Sequence, residues 1–443
     1  MGPRAQAGPP RRRAGRDRPI GARSRRDGAA DLSRTSLGSD YRRLWVASTV
    51  SNAGDGVFLV ALPLLAASLT RSPGRVSAVA LAGRLPWLLF ALVSGALVDR
   101  WDRRRVMWVV DAGRGVVVAL LAAAVLAGQT TIPMLMVAAF LLGSGETLFD
   151  NASQSFLSSV VGREAGRLQR ANSQLMGGEI VAEQFAGPPA GGLLYAVGRA
   201  VPFAADAASF VVSAALVAGV RTPPPARPPA APARRLMGEI GEGMRWLWGH
   251  RLLRTLALLV GATSLVFTAG EAVLVLFAQE KLGVGPVGFG LLGVGAAAGG
   301  LLGTVVGTRL ERRLGAGPVL LGSIASLGVV QLAVGLASQA WLVCALFGVT
   351  GTATVAWNVI TVSLRQAVVP EHLLGRVNSV YRLLAWGPMT IGAAMGGLLA
   401  GRFGLRAPYL VGGVALLVAP LLAARVVSTD AVAAARAAAG TEA

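Results

Sequence analysis

Apolar stretches of about 20 residues recur along most of this 443-residue chain, and a helix of that length spans the hydrocarbon core of a bilayer. Charged residues make up only 14% of the sequence, whereas roughly a quarter is typical of soluble domains. The pattern predicts an all-α polytopic membrane protein with twelve transmembrane helices. The predicted spans are 43–69, 75–98, 105–127, 132–160, 173–197, 200–220, 252–280, 286–308, 317–337, 340–366, 377–401 and 407–427.

Short sequence matches relate the first six spans to the last six, at offsets of about 205–216 residues. An internal duplication is therefore predicted, with two six-helix pseudo-symmetric halves. Transporters built from parallel repeats bind substrate near the bilayer midplane, between the halves. The matches are Arg170-Ala-Asn172-Ser173 with Arg376-Val-Asn378-Ser379, Gly191-Gly192-Leu-Leu194 with Gly396-Gly397-Leu-Leu399, and Gly54-Asp55 with Gly270-Glu271.

A proline-rich segment between spans six and seven divides the chain. The predicted parts are a disordered Arg-rich cytoplasmic tail (1–40), an N-terminal six-helix half (41–220), a cytoplasmic Pro-rich linker with an amphipathic segment (221–250), a C-terminal six-helix half (251–427) and a cytoplasmic tail (428–443). The apolar residues of the amphipathic segment are expected to lay it on the membrane surface. They are Ile240, Met244, Trp246, Leu247 and Trp248.

The arginines set the predicted orientation. The net charge of the chain is +20, and the arginines responsible for it cluster in the N-terminal tail and in every second loop. Cytoplasmic loops carry this excess, so both termini are predicted to be cytoplasmic in a multi-pass protein of the cell membrane. The basic charge therefore does not indicate nucleic acid as a partner. Minor exceptions on the other side are Arg71, Arg75, Arg402 and Arg406.

Scarce residue types exclude several kinds of chemistry. Cys344 is the sole cysteine, so an intrachain disulfide and a thiolate metal site are excluded. His250 and His372 fall in predicted cytoplasmic segments, which argues against a metal centre in the membrane. Lys281, the sole lysine, is not part of the Gly-Lys-Ser/Thr sequence of a P-loop. We therefore expect no cofactor, no metal and no enzymatic activity.

A burst of charge, Gly95-Ala-Leu-Val-Asp99-Arg100-Trp-Asp102-Arg103-Arg104-Arg105, lies between the second and third spans. A fainter copy near 303–313 lies between the eighth and ninth spans. Two charged hairpins at equivalent places support both the duplication and the cytoplasmic assignment of these turns. The second copy has Gly307 where the first has Asp99, so it lacks the acid.

The first hairpin resembles motif A of the major facilitator superfamily, and Gly187-Pro188-Pro-Ala-Gly191-Gly192 resembles the core of its antiporter motif C. The resemblance covers all twelve spans. Further segments make the chain similar to the drug/proton antiporter branch that includes macrolide efflux proteins and the enterobactin exporter. They are Gly54-Asp55-Gly56, Arg84-Leu-Pro86, Glu146-Thr-Leu-Phe-Asp150 and Arg170-Ala-Asn172.

The resemblance implies alternating access and a role for each motif. In the family, the hairpin is thought to latch the two halves on the cytoplasmic side, which implies that role for Gly95, Asp99, Arg100, Arg103 and Arg104. The other interpretation is a topology signal and nothing more. Motif C implies a seal that favours export at Gly187, Pro188, Gly191 and Gly192, where the other interpretation is an ordinary proline kink.

Ionisable residues inside the spans are candidates for proton coupling or substrate contact, because each costs about 2.5–3.5 kcal/mol at a helix centre. By depth we expect a pair between Asp55 and Arg84, with Asp111 and Arg114 level with the acids of the fourth span. The other interpretation is that most acids are static partners of Arg84 and Arg114. The candidates are Asp55, Arg84, Glu146, Asp150, Glu179, Glu183 and Glu271.

The predicted function is proton-coupled efflux of a small apolar or amphiphilic organic compound, such as a drug, an antibiotic or a siderophore-like molecule. Expected partners are that compound, protons and membrane lipid, with no nucleic acid. A monomer is expected, because the halves supply each other's interface. The alternatives are an importer or a lysophospholipid flippase of the same fold, or a non-transporting membrane scaffold.

Overall fold

Every predicted span overlaps helix, and the seventh span is broken at residues 272–273. The computed structural model describes residue 2 and residues 37–98, 101–162, 164–221 and 233–441, so nearly all of the predicted tail 1–40 lies outside it. The first half consists of α1 (Ser39–Leu69), α2 (Pro73–Val98), α3 (Arg103–Leu126), α4 (Ile132–Val161), α5 (Ala165–Glu179), a π-helix (Ile180–Ala186), α6 (Gly187–Val197) and α7 (Val201–Ala218).

The second half repeats this order after a linker helix. Its elements are α8 (Ala233–Gly249), α9 (Arg251–Glu271), α10 (Leu274–Glu280), α11 (Pro286–Leu314), α12 (Ala316–Leu336), α13 (Ala340–Val368), α14 (Glu371–Phe403), α15 (Ala407–Ala423) and α16 (Thr429–Thr441). Within the described ranges, nine of these helices are long and apolar enough to cross a membrane. The all-α fold is confirmed, and the count of twelve spans stays a prediction.

The charged hairpin turns between α2 and α3. Asp102 caps α3, since its Oδ1 accepts a hydrogen bond from the Arg105 amide at 2.9 Å. The equivalent turn in the second half lies between α11 and α12. We call the end of the bundle that carries these two turns the hairpin end. The opposite end carries the turns at 127–131 and 281–285.

Glycines set the tightest helix contact of the second half. Gly295, Gly299, Gly303 and Gly307 recur every four residues along one face of α11, and α13 packs against that face. A Cβ on Gly299 would collide with the Gly348 carbonyl oxygen. Helices associate in lipid through such close backbone approach rather than through burial of large side chains, which explains why this chain is rich in glycine.

The two halves meet near the opposite end. α2 of the first half packs along α14 of the second, and α6 packs against α11. A Cβ on Gly192 would collide with the Pro286 carbonyl oxygen, and one on Gly290 with the Pro188 carbonyl oxygen. Gly192 of motif C therefore lies directly in the contact between the halves, whereas Gly187 and Gly191 face α1.

The linker helix α8 packs on protein. Leu247 is fully buried, and α8 lies against α14 and α9. Glu242 accepts a hydrogen bond from Arg376 Nη1 at 2.6 Å. The amphipathic helix is present, with Leu247 packed in the core of the second half, and its placement on the membrane surface stays a prediction.

The C-terminal segment 428–443 contains a helix that the sequence reasoning missed. In α16, Arg436 pairs with Glu311 of α11 at 3.2 Å, and Val432 is 1% exposed in the core of the second half. The helix therefore fastens to the hairpin end, beside the second charged turn.

Candidate functional site

An ion pair between α1 and α3 lies at the centre of the N-terminal half. Arg114 Nη2 donates to Asp55 Oδ1 at 2.6 Å. The guanidinium lies 4.3 Å from the centre of the Phe210 ring, a cation–π geometry, and the residue is only 6% exposed. A Cβ on Gly145 would lie 2.9 Å from the aliphatic stem of Arg114. α4 therefore approaches closely because glycine occupies that position.

Two further acids are buried beside this pair. Asp111 is 0% exposed, and its Oδ2 accepts a hydrogen bond from Ser213 at 2.5 Å. Asp206 of α7 is 1% exposed. The sequence reasoning missed Asp206, although an acid in the apolar span 200–220 carries the same insertion cost that identified the other candidates.

Four more acids approach from α4, α5 and the π-helix. Glu146 acts electrostatically on Arg114, and Glu183 interacts with Asp55, Glu146, Asp150 and Glu179. Glu146 and Glu179 are exposed, whereas Asp150 and Glu183 are half-buried. We call these seven acids and Arg114 the acidic cluster; its members are Asp55, Asp111, Arg114, Glu146, Asp150, Glu179, Glu183 and Asp206.

The π-helix carries Glu183 beside Asp55. Pro188 has no amide hydrogen, so a regular helix would lose a bond here, and instead the Gly187 amide donates to the Ala182 carbonyl five residues back. A Cβ on Gly56 would lie 2.5 Å from the Glu183 carbonyl oxygen and 2.9 Å from Gly187 Cα. The glycine after Asp55 therefore admits the π-helix against α1.

The predicted pair between Asp55 and Arg84 is wrong. Arg84 of α2 faces the second half, where its Nη2 lies 3.4 Å from Glu271 Oε1. The two candidates Arg84 and Glu271 therefore form an ion pair that joins the halves. Counting residues along a helix gives an expected depth, but the rotation of α2 about its axis decides the partner.

Glu271 ends α9, where the seventh span is interrupted before α10 begins at Leu274. The Tyr409 hydroxyl donates to the Gly270 carbonyl at 2.9 Å, and the Val273 amide donates to the same oxygen at 3.3 Å. One turn along α2 from Arg84, the rings of Trp87 and Trp386 lie 4.2 Å apart. Arg71 Nη1 donates to Gln279 Oε1 at 2.5 Å at the opposite end.

The hairpin residues lie only partly within the described ranges. Asp99 and Arg100 are outside them, and Gly95 lies in the last turns of α2. Arg103 Nη1 donates to the Ser155 carbonyl at 3.3 Å, and Arg104 Nη1 donates to the Val220 carbonyl at 2.5 Å. These two contacts tie the hairpin to α4 and to the end of α7, all within the first half. The latch role stays a prediction.

Comparison with known proteins identifies the family. Residues 36–440 match the major facilitator family described as transmembrane secretion effector. The chain belongs to the major facilitator superfamily. The resemblance drawn from the sequence motifs is thereby confirmed, and the protein is a multi-pass membrane protein of a transporter family.

Among its major facilitator relatives is the multidrug efflux pump Tap of Mycobacterium tuberculosis, with 29% identity over 391 residues, 86% of this chain and 91% of the relative. The enterobactin exporter EntS of Citrobacter koseri is 26% identical over 404 residues, which cover 86% and 90%. Macrolide efflux protein A of Streptococcus pyogenes is 24% identical over 394 residues, which cover 85% and 93%.

A solved structure supports the major facilitator fold independently. A bacterial homologue of the iron transporter ferroportin, in an inward-facing state, superposes with a TM-score of 0.67 and 19% identity. The match covers 88% of this chain and all of that one. The helix arrangement is thus the shared feature.

Proposed function

We propose that this protein exports a small apolar or amphiphilic organic compound in exchange for protons, by alternating access, as a monomer in the cell membrane. The hairpin end and both termini are cytoplasmic in this proposal. Its main support is the acidic cluster, because seven acids around one buried guanidinium cannot all be balanced by ion pairing. The efflux functions named for the relatives support the direction.

The contacts between the halves define the closed side. The ion pair Arg84–Glu271 and the tilted rings of Trp87 and Trp386 join α2 to α9 and α14 from the opposite end inward. Opening that side separates the halves and breaks both contacts. We therefore assign the structure to a state closed toward the outside, in which the acidic cluster faces the cytoplasmic half of the membrane.

The proton supplies the driving force. A proton bound from outside neutralises one carboxylate of the cluster, and the change of charge shifts the equilibrium between the inward-open and outward-open states. Each charge moved across the membrane contributes about 2.3 kcal/mol per 100 mV. Asp55 and Glu183 respond to that change of charge, because Asp55 pairs with Arg114 and interacts electrostatically with Glu183, and the compound leaves as the proton enters.

The two family motifs keep their proposed roles. Gly187, Pro188, Gly191 and Gly192 seal the outside, since Pro188 and Gly192 meet α11 while Gly187 and Gly191 meet α1. The hairpin Gly95, Asp99, Arg100, Arg103 and Arg104 latches the cytoplasmic side in the outward-open state. In the second copy, the helix α16 and its Arg436–Glu311 pair occupy the place of a latch.

The test uses inverted membrane vesicles with an acid interior, in which export appears as uptake. A macrolide and enterobactin are the probes, chosen from the names of the relatives. Uptake should require the pH gradient and fall at least tenfold in Asp55→Asn and Glu183→Gln. The control Glu164→Gln removes an exposed acid at the hairpin end, outside the acidic cluster, and should transport normally. Uptake that survives collapse of the pH gradient would rule out proton exchange.

A further inference from the structure

Among the described residues, Asp206 is the most deeply buried acid that the sequence reasoning missed. It lies on α7, is 1% exposed, and its Oδ2 has no hydrogen-bond partner among the described residues. Its Oδ1 lies against the backbone of α1, where a Cβ on Gly54 would collide with Asp206 Oδ1 and Ser209 Oγ. Gly54 therefore admits the Asp206 carboxyl group beside Asp55, as Gly56 admits the π-helix on the other side.

Charges from two neighbouring helices act on Asp206: Asp55 from α1, and Asp111 and Arg114 from α3. Arg114 is already paired, at 2.6 Å, with Asp55. Its Nε, buried in the same place, has no hydrogen-bond partner among the described residues. Arg114 thus acts electrostatically on a second buried acceptor, Asp206, while its own Nε stays unused as a donor among the described residues.

The burial of the two acids differs. The Asp55 side chain is 26% exposed, whereas Asp206 is almost completely enclosed. A carboxylate without a partner cation is very costly in an enclosed apolar site, while one in contact with water is tolerated. While Arg114 is paired with Asp55, the neutral acid is the stable form of Asp206. Asp206 can ionise when the Arg114 guanidinium pairs with it instead.

We propose that Asp206 carries the exchanged proton and that Asp55 and Asp206 alternate as partners of Arg114. The proton on Asp206 Oδ2 leaves to water as Arg114 turns from Asp55 to Asp206, and Asp55 is then hydrated from the cavity. Uptake of a proton by Asp206 returns Arg114 to Asp55. The exchange part of this inference rests on the proposed function, whereas the protonation of Asp206 does not.

Infrared difference spectroscopy of the purified protein tests the protonation directly and needs no substrate. A rise in pH should remove the carbonyl stretch of a protonated carboxylic acid from the wild-type spectrum. The band should be lost in Asp206→Asn, shifted in Asp206→Glu and retained in Asp111→Asn, which replaces an equally buried acid. A wild-type spectrum without such a band, or a band lost in Asp111→Asn and kept in Asp206→Asn, would overturn the proposal.

Transport by the same variants separates proton carriage from a structural role. In vesicles with a macrolide as probe, Asp206→Asn should lose gradient-driven uptake but retain exchange of labelled for unlabelled macrolide without a gradient. If Asp206→Asn lost both gradient-driven uptake and exchange while remaining folded, Asp206 would not be the proton carrier. If the wild type shows no gradient-driven uptake, the proposed function fails, and the infrared result still decides whether Asp206 holds a proton.

Discussion

At the residue scale, Arg114 connects more of the structure than any motif residue does. Its guanidinium contacts Asp55 of α1 and the Phe210 ring of α7, and its stem packs on Gly145 of α4. Four helices thus meet at one cation. Removal of one partner of a buried ion pair leaves the other charge uncompensated, which costs far more than loss of the pair itself.

We expect Arg114→Gln to destabilise the protein by about 3–5 kcal/mol, because the acids around it lose their cation. The double variant Arg114→Gln/Asp55→Asn should recover part of that loss. Unfolding midpoints of the detergent-purified proteins measure both effects. Equal destabilisation of the single and double variants would show that the pair is not the source.

Sequence reasoning reached the charged residues of the site but not their pairing. The cost of an ionisable group in a span identified Asp55, Glu183 and Glu271, and the same rule applied to α7 would have found Asp206. Depth along a helix follows from counting residues. The rotation of each helix follows from packing, so the pairing of Arg84 with Glu271 required the structure.

At the element scale, the glycine face of α11 fixes the distance to α13. A methyl group on Gly299 meets a backbone carbonyl, which cannot move aside as a flexible side chain would. On neighbouring Gly300, a Cβ would lie 3.6 Å from Val355 Cγ2, an ordinary contact. The two adjacent positions therefore form a matched pair.

We expect Gly299→Ala to destabilise the protein by about 1–3 kcal/mol through overpacking. Gly300→Ala should be neutral or stabilise by about 0.5–1 kcal/mol, since alanine favours a helix. Thermal unfolding in detergent compares the two. Similar midpoints for both variants would mean that α11 and α13 are not in close backbone contact.

The linker helix makes one pH-sensitive contact outside the membrane. His250 Nδ1 accepts a hydrogen bond from the Leu253 amide at 3.3 Å and so caps α9, and its ring stacks on Trp246. Burial lowers the pKa of His250 below its usual value. The neutral ring is the form that caps the helix.

Because the pKa of His250 is lower in the folded protein, the unfolded chain binds the proton more readily as the pH falls. The cap contribution, about 1 kcal/mol, is therefore present above pH ~6.5 and is lost at lower pH. Asn in place of His250 caps without titrating, so His250→Asn should show a smaller acid-dependent fall in unfolding temperature. Parallel curves for the two proteins would contradict this role.

At the scale of the whole molecule, the halves are joined by contacts that alternating access must break. Arg84–Glu271 and Trp87–Trp386 lie one turn apart on α2. Both contacts hold the same side closed. A substitution at the Arg84–Glu271 pair can therefore be tested by measuring how often Trp87 and Trp386 are close together.

We expect Trp87→Cys/Trp386→Cys, in a Cys344→Ser background, to cross-link readily with a short bifunctional thiol reagent. Arg84→Gln should slow that reaction by opening the contact, whereas Arg75→Gln on the same helix should not. The rate of cross-linking on gels measures the effect. Equal cross-linking rates in both variants would show that the Arg84–Glu271 pair does not hold the two halves together on this side.

The global organisation was largely predictable from the sequence. Long apolar runs indicate the spans, and repeated segments indicate the motifs and the predicted duplication. The ends of the chain were not. The segment Asp430–Ala439 is rich in alanine, which favours helix, but its attachment to Glu311 depends on a contact between distant parts of the sequence. The same holds for Leu247 of α8.

The π-helix has a consequence for the history of the fold. Asn172 and Gly191 are 19 residues apart, whereas their counterparts Asn378 and Gly396 are 18 apart, and α14 runs through that interval as unbroken α-helix. The first half thus holds one inserted residue, which the wider π turn absorbs. The helical segments before and after the π turn therefore face neighbours equivalent to those of their counterparts in the second half. The π turn also carries an acid, Glu183, which interacts with Asp55. The two predicted repeats are therefore chemically unequal at this position.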